Sequence, residues 1–139
     1  MNKDTQASAP AVPKTLLSGQ LAEARALDAL QMAKNTDVWR PTTGQIESPA
    51  FREIVGRPLF TARGLVRGTV IDSVQKGFAE IKSGASVLGS TYQLRLQAYR
   101  SVVEDQAFKL YTSRPLDTQF ARWLRPLGVK VRPLPSPEP

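Results

Sequence analysis

Four arginines, Arg52, Arg57, Arg63 and Arg67, fall close together with only Glu53 among them to oppose their charge. Arg63-Gly64 and Arg67-Gly68 repeat a guanidinium beside a glycine at a spacing of four. On a helix that spacing shares one face, where guanidinium groups can grip phosphates or carboxylates in bidentate fashion. The plainer reading is a solvated basic face, or pairing with Glu53 and Asp72 inside the fold. A second concentration follows at 109–132, where Lys109, Arg114, Arg122, Arg125, Lys130 and Arg132 face Asp117 alone. Phe120 and Trp123 lie among these cations. Cations mixed with aromatics suit a nucleic-acid surface. They equally suit a protein interface anchor, since Trp and Arg are enriched at binding hot spots.

Familiar catalytic patterns are missing. The chain has no histidine and no cysteine, which removes Ser–His–Asp and Cys–His catalysis, disulfides and the usual zinc sites. Ser86 in GASVLG lacks the spacing of a nucleophile elbow and has no histidine to serve it, so small residues at a break explain it better. No dinucleotide or phosphate-binding glycine loop occurs. Glu104 and Asp105 are adjacent, and on a helix they would diverge by about 100°. Lysine-based and carboxylate-only chemistry stays open, without a residue pattern pointing to it. The expectation is a non-enzymatic protein with no catalytic residue, no metal site and no cofactor.

The bulk properties narrow the setting. The chain has 139 residues, 41% of them hydrophobic, enough for one domain with a modest core. A net charge of +7 and a pI near 10.1 favour acidic partners. No apolar run approaches the ~18 residues of a membrane span, and no signal-peptide block is evident. A cytoplasmic location, or one within a large assembled particle, is expected.

Periodicity argues for helices. Residues 1–13 read as a flexible tail, and Lys14 to Lys34 as a helix ended by Asn35. Its leucines spread over more than half the circumference, which suits packing on two sides or against another subunit. Residues 36–48 read as an internal loop, with Trp39 plugging a hydrophobic gap. In SPAFREIVG, Ser48 suits a cap, Pro49 the first helical position and Gly56 the end. From Val66 through Val70, Val74, Phe78, Ile81, Ala85 and Leu88, apolar residues recur at steps of four and three. The same stripe continues through Tyr92, Leu96, Tyr99, Val103, Ala107 and Leu110, broken near Gly84–Gly89 and restarted by a Ser90/Gln93 capping box. Residues 91–99 also alternate like a strand. LDTQFARWLR reads as a last short helix closed by Pro126.

These signals together predict a mainly α protein: a small helical bundle or long helical hairpin over 14–125. An extended Pro-rich tail at 126–139 would follow. The alternative is an α+β protein with a hairpin at about 91–112. In function, the pattern predicts an assembly component of a larger complex, such as a virion or secretion particle. It would dock other protein subunits or copies of itself through Trp123, Phe120, Pro133, Leu134 and Pro135. The alternative partner is DNA or RNA, held at its phosphates by Arg52, Arg57, Arg63, Arg67, Arg122, Arg125, Lys130 and Arg132.

Overall fold

The computed structural model describes residues 14–135; the N-terminal tail 1–13 and the final prolines Pro137 and Pro139 lie outside them. In chain order it contains α1 (Lys14–Leu30), α2 (Thr43–Ile46), α3 (Pro49–Ile54), β1 (Phe78–Lys82), α4 (Tyr92–Val103), β2 (Phe108–Thr112), α5 (Thr118–Leu124), a 3₁₀ turn (Arg125–Leu127) and β3 (Val129–Pro133). The strands form one parallel sheet in the order β1-β2-β3. Phe78 pairs with Phe108 and Phe108 with Val129, so the three strands run in step. The expected helical bundle is therefore replaced by an α+β fold. The alternative hairpin at 91–112 is absent as well: 92–103 is helix, and β2 pairs in parallel with its two neighbours.

Burial of two sheet faces explains the layers. Phe78, Phe108, Leu110 and Val129 point to one face, where Leu94 and Ala98 of α4 and Phe120 and Leu124 of α5 cover them. Ala79, Ile81 and Tyr111 point to the other, beneath Ala26 and Leu27 of α1. Each parallel connection needs a crossover, and α4 and α5 supply them. Behind α4, a second cluster joins its Tyr92, Leu96 and Tyr99 to Phe51, Ile54 and Val55 of the α3 region. Trp39 packs against that cluster, its ring 6.4 Å from Tyr99, as a gap-filling residue would. Among the described residues no helix is long and apolar enough to cross a membrane.

Local chemistry sets the boundaries. Ser48 Oγ accepts from Phe51 N–H at 3.2 Å with Pro49 at the first helical position, as the sequence indicates. Asp117 caps α5 through Phe120 N–H at 3.0 Å. Helix α4 starts one residue later than expected: Thr91, not Ser90, accepts from Leu94 N–H, while Ser90 Oγ accepts from Arg95. The VKVR alternation is the edge strand β3.

The long apolar stripe fails for a physical reason. Val70 and Val74 are exposed, whereas Phe78 and Ile81 are buried on opposite sheet faces. Gly64, Gly77 and Gly84 adopt φ of 83°, 75° and 115°, so turns interrupt what a helix would have to carry through. Arg63 and Arg67 consequently share no helix face. They sit at the tip and base of a short antiparallel arm, held by the Phe60–Val66 bridge and by Arg67 N–H donating to Leu59 C=O at 2.7 Å. Replacing Leu110, fully buried at the centre of the sheet, by alanine should cost about 2–5 kcal/mol in urea denaturation at unchanged m-value.

Candidate functional site

The edge of the sheet beside β1 departs from regular pairing. Ser73 and Ala79 exchange both backbone hydrogen bonds, at 3.0 and 2.9 Å, as an antiparallel pair. One residue further the ladder is taken over by carboxylates. Ile81 N–H donates to Asp72 Oδ2 at 2.7 Å, and Asp72 N–H donates to Glu80 Oε1 at 3.1 Å. The Ile71 carbonyl, freed from that ladder, accepts from Asn35 Nδ2 at 2.9 Å. Side chains thus close the bonds that backbone would otherwise make, and the chain before Asp72 peels away from β1.

That departure creates a groove of 450 Å³, lined among others by Glu80 and Lys82 of β1, Gln93 and Gln97 of α4, and Arg40, Arg67 and Thr69. Alternation along β1 puts Glu80 and Lys82 on one face, and Lys82 Nζ lies 3.2 Å from Glu80 Oε2. Gln97 is 1% exposed and donates through Nε2 to Thr69 Oγ1 at 3.0 Å. Its Oε1 has no hydrogen-bond partner, the one buried side-chain atom so left among the described residues. Leaving a buried acceptor unsatisfied costs about 1–3 kcal/mol, which calls for a reason. The groove wall is tightly built at Gly68, where a Cβ would meet Trp39 O at 2.4 Å.

Asp72 and Glu80 are 9% and 5% exposed. Burial pushes the Asp72 carboxyl up to about 7; the negative charges of Glu80 and, less, Glu23 add to this, while the Ile81 N–H and Lys34 oppose it. Two buried carboxylates at one strand junction are an electrostatic burden, partly offset by the Ile81 and Asp72 N–H groups and by Lys82.

The basic residues singled out from the sequence scatter over the surface. Of the eight, Arg67 alone lines the groove. Arg52 and Arg57 border a shallow cleft beside Glu47 and Pro58, and Arg63 is exposed at the arm's tip. Arg122 and Arg125 are exposed on α5 and the 3₁₀ turn, and Lys130 and Arg132 on β3, at the far edge of the sheet. Phe120 is buried at 2% and stacks on half-buried Trp123 at 5.9 Å, so both rings fill the interior of the helical layer. Leu134 packs onto the α1 face, Pro133 ends β3 exposed, and Pro135 is half-buried.

Sequence reasoning named Asp72 only as an ion-pair partner for the arginines, and passed over Glu80, Lys82 and Gln97. The signal was FAEIK itself: a short strand flanked by glycine turns, carrying Glu80 and Lys82 on the face that elsewhere holds Phe78. Charges in register with a core residue are unusual unless they are used.

The native state holds the Asp72 proton to about pH 7, whereas an unperturbed carboxyl releases it near 3.8. The folded protein therefore binds more protons across that window, and stability should fall as pH rises through it, then level off. Asp72→Asn keeps an acceptor for Ile81 N–H and removes the charge. Its unfolding free energy from urea denaturation should match the wild type near pH 4 and exceed it near pH 8, by on the order of 2–4 kcal/mol. No family model matches the chain, and no curated protein or solved structure matches it either.

Proposed function

We propose that the chain is a divalent-cation-dependent phosphodiesterase acting on nucleic acid, with Asp72 and Glu80 as cation ligands. The observation that carries this reading is buried Glu80, which lines a basic groove with Gln97, and Asp72 behind it at the junction of β1 with the preceding segment, tied to Glu80 through its own N–H. A hard dication offsets both negative charges with oxygen ligands. Among the described residues no three acidic or His/Cys side chains converge into a closed cage. Two carboxylates with open coordination positions match Mg²⁺, which keeps waters and shares substrate phosphates rather than accepting an all-protein shell.

The groove chemistry fits a phosphate diester. Arg40, Arg67 and Lys82 line the groove together with Glu80, so the site attracts anions despite its acidic floor. When bound, the cation polarises the phosphoryl oxygen and lowers the pKa of a coordinated water. Lys82, beside Glu80, would offset charge that grows on the phosphoryl oxygens. Water adds to phosphorus and gives up a proton to solvent, the bond to the departing sugar oxygen breaks, and that oxygen takes a proton from solvent. The products are one phosphomonoester end and one hydroxyl end. Such chemistry needs neither histidine nor cysteine, whose absence supported the non-enzymatic expectation.

The expected result is cleavage of a labelled oligonucleotide or plasmid in Mg²⁺ or Mn²⁺, none in EDTA, and at least about a hundredfold loss for Glu80→Gln and for Lys82→Met. Wild-type cleavage that survives Glu80→Gln would reject the assignment. The two readings from sequence become the alternatives if no cation supports cleavage. Size-exclusion chromatography with light scattering then separates them. Nucleic acid that co-elutes and is stripped by salt marks a binding protein. A protein-only oligomer at low and high salt marks an assembly component.

A further inference from the structure

The arm at residues 59–67 adjoins the groove and has no packing role of its own. Its strands are joined by the Phe60–Val66 bridge, with Thr61 N–H donating to Leu65 C=O at 2.7 Å and Arg67 N–H to Leu59 C=O at 2.7 Å. Gly64, at φ 83°, makes the turn. At the base, Tyr92 Oη donates to the Arg67 carbonyl at 3.0 Å, and Gly68 is wedged against Trp39. The arm is thus rigidly rooted in α4 and the groove wall.

Its side chains sort by the pleat. Partners across the bridge share a face, so Leu59, Thr61, Leu65 and Arg67 lie on one side and Phe60 with Val66 on the other. Thr61 and Arg67 line the groove, which fixes the first face as the groove-facing one. That face carries Leu59 and Leu65 at 40% and 55% exposure beside a guanidinium that makes no side-chain hydrogen bond or ion pair among the described residues. Exposed apolar surface next to an unpaired cation, continuous with a phosphate-cleaving groove, matches a nucleic-acid strand whose bases are unpaired. In a duplex the base faces are stacked and hidden; in a single strand they can lie against apolar side chains while the backbone meets the cation.

We propose that the 59–67 arm is a strand clamp selective for single-stranded nucleic acid, with Arg67 on a backbone phosphate next to the one cleaved and Leu59 and Leu65 against unpaired bases. This rests on the phosphodiesterase reading for the placement of the scissile phosphate, but not for the binding itself.

Binding is therefore measured apart from cleavage, by fluorescence anisotropy of labelled single-stranded and duplex 12-mers with the full chain in EDTA. Leu59→Ser/Leu65→Ser should weaken single-strand binding about five- to tenfold and duplex binding less than twofold. Arg67→Gln should make the salt dependence of log K for the single strand shallower by about 0.7. Equal weakening for both substrates, or an unchanged salt slope, would overturn the clamp. Both substitutions sit on exposed side chains of a backbone-paired arm, and unchanged thermal midpoints verify folding. If the wild type cleaves nothing in Mg²⁺ yet these shifts appear, the clamp stands and the hydrolytic reading falls; cleavage without the shifts gives the reverse.

Discussion

The groove and its charge depend on one substitution of side chain for backbone. At the β1 edge an antiparallel ladder would continue past Ser73–Ala79 with carbonyl oxygens. Instead the Asp72 and Glu80 carboxylates accept the amide protons of Ile81 and Asp72. A carboxylate satisfies an N–H as well as a carbonyl does, so the sheet loses no hydrogen bond. It also brings a negative charge into a site with little water. The peeled strand then leaves room for the groove, and the groove supplies the cations. One local exchange yields both the cleft and its electrostatic character.

Helix α4 makes that exchange tolerable. Its residues divide among three environments: Leu94 and Ala98 on the sheet, Tyr92, Leu96 and Tyr99 on the α3 cluster, Gln93 and Gln97 on the groove. A helix locked on two apolar sides has no rotational freedom left to turn Gln97 toward a better partner. The unsatisfied Oε1 is held there by packing, at a cost the two clusters offset. Arg100, from the next turn, lies 4.5 Å over the Phe78 ring and is tied to Glu104, which anchors the helix end against β1. Catalytic precision at Glu80 would thus be inherited from the apolar core on either side of it.

The same helix shows what was legible in the sequence and what was not. Tyr92, Leu94, Leu96 and Ala98 alternate because two faces of α4 are buried, not because the segment is extended. Its helical identity was readable; its end was not, because β2 follows within five residues and continues the spacing of three and four by chance. The cap at Ser48, the helix start at Pro49 and its end at Gly56 were local signals, and these held. The parallel sheet was hidden because each strand is five residues long and β1 and β2 carry charged residues between apolar ones. Pairing in parallel is decided by contacts far apart in sequence, which no window of neighbouring residues contains.

The candidate site was hidden for a related reason. A search keyed to histidine, cysteine and glycine loops looks for chemistry that a single segment can announce. Here Asp72 and Glu80 come together only through a turn at Gly77, Gln97 arrives from the following helix, and Arg67 from the arm before them. Each is unremarkable in its own neighbourhood. The basic clusters that stood out, at 122–132 above all, lie two strands away at the other edge, about 10 Å at ordinary strand spacing. Net charge therefore describes the surface as a whole and does not single out the residues of the groove. Long-range attraction depends on the sum of the charges and draws an anion to the whole surface, whereas bond cleavage depends on a few buried oxygens whose net charge is of the opposite sign.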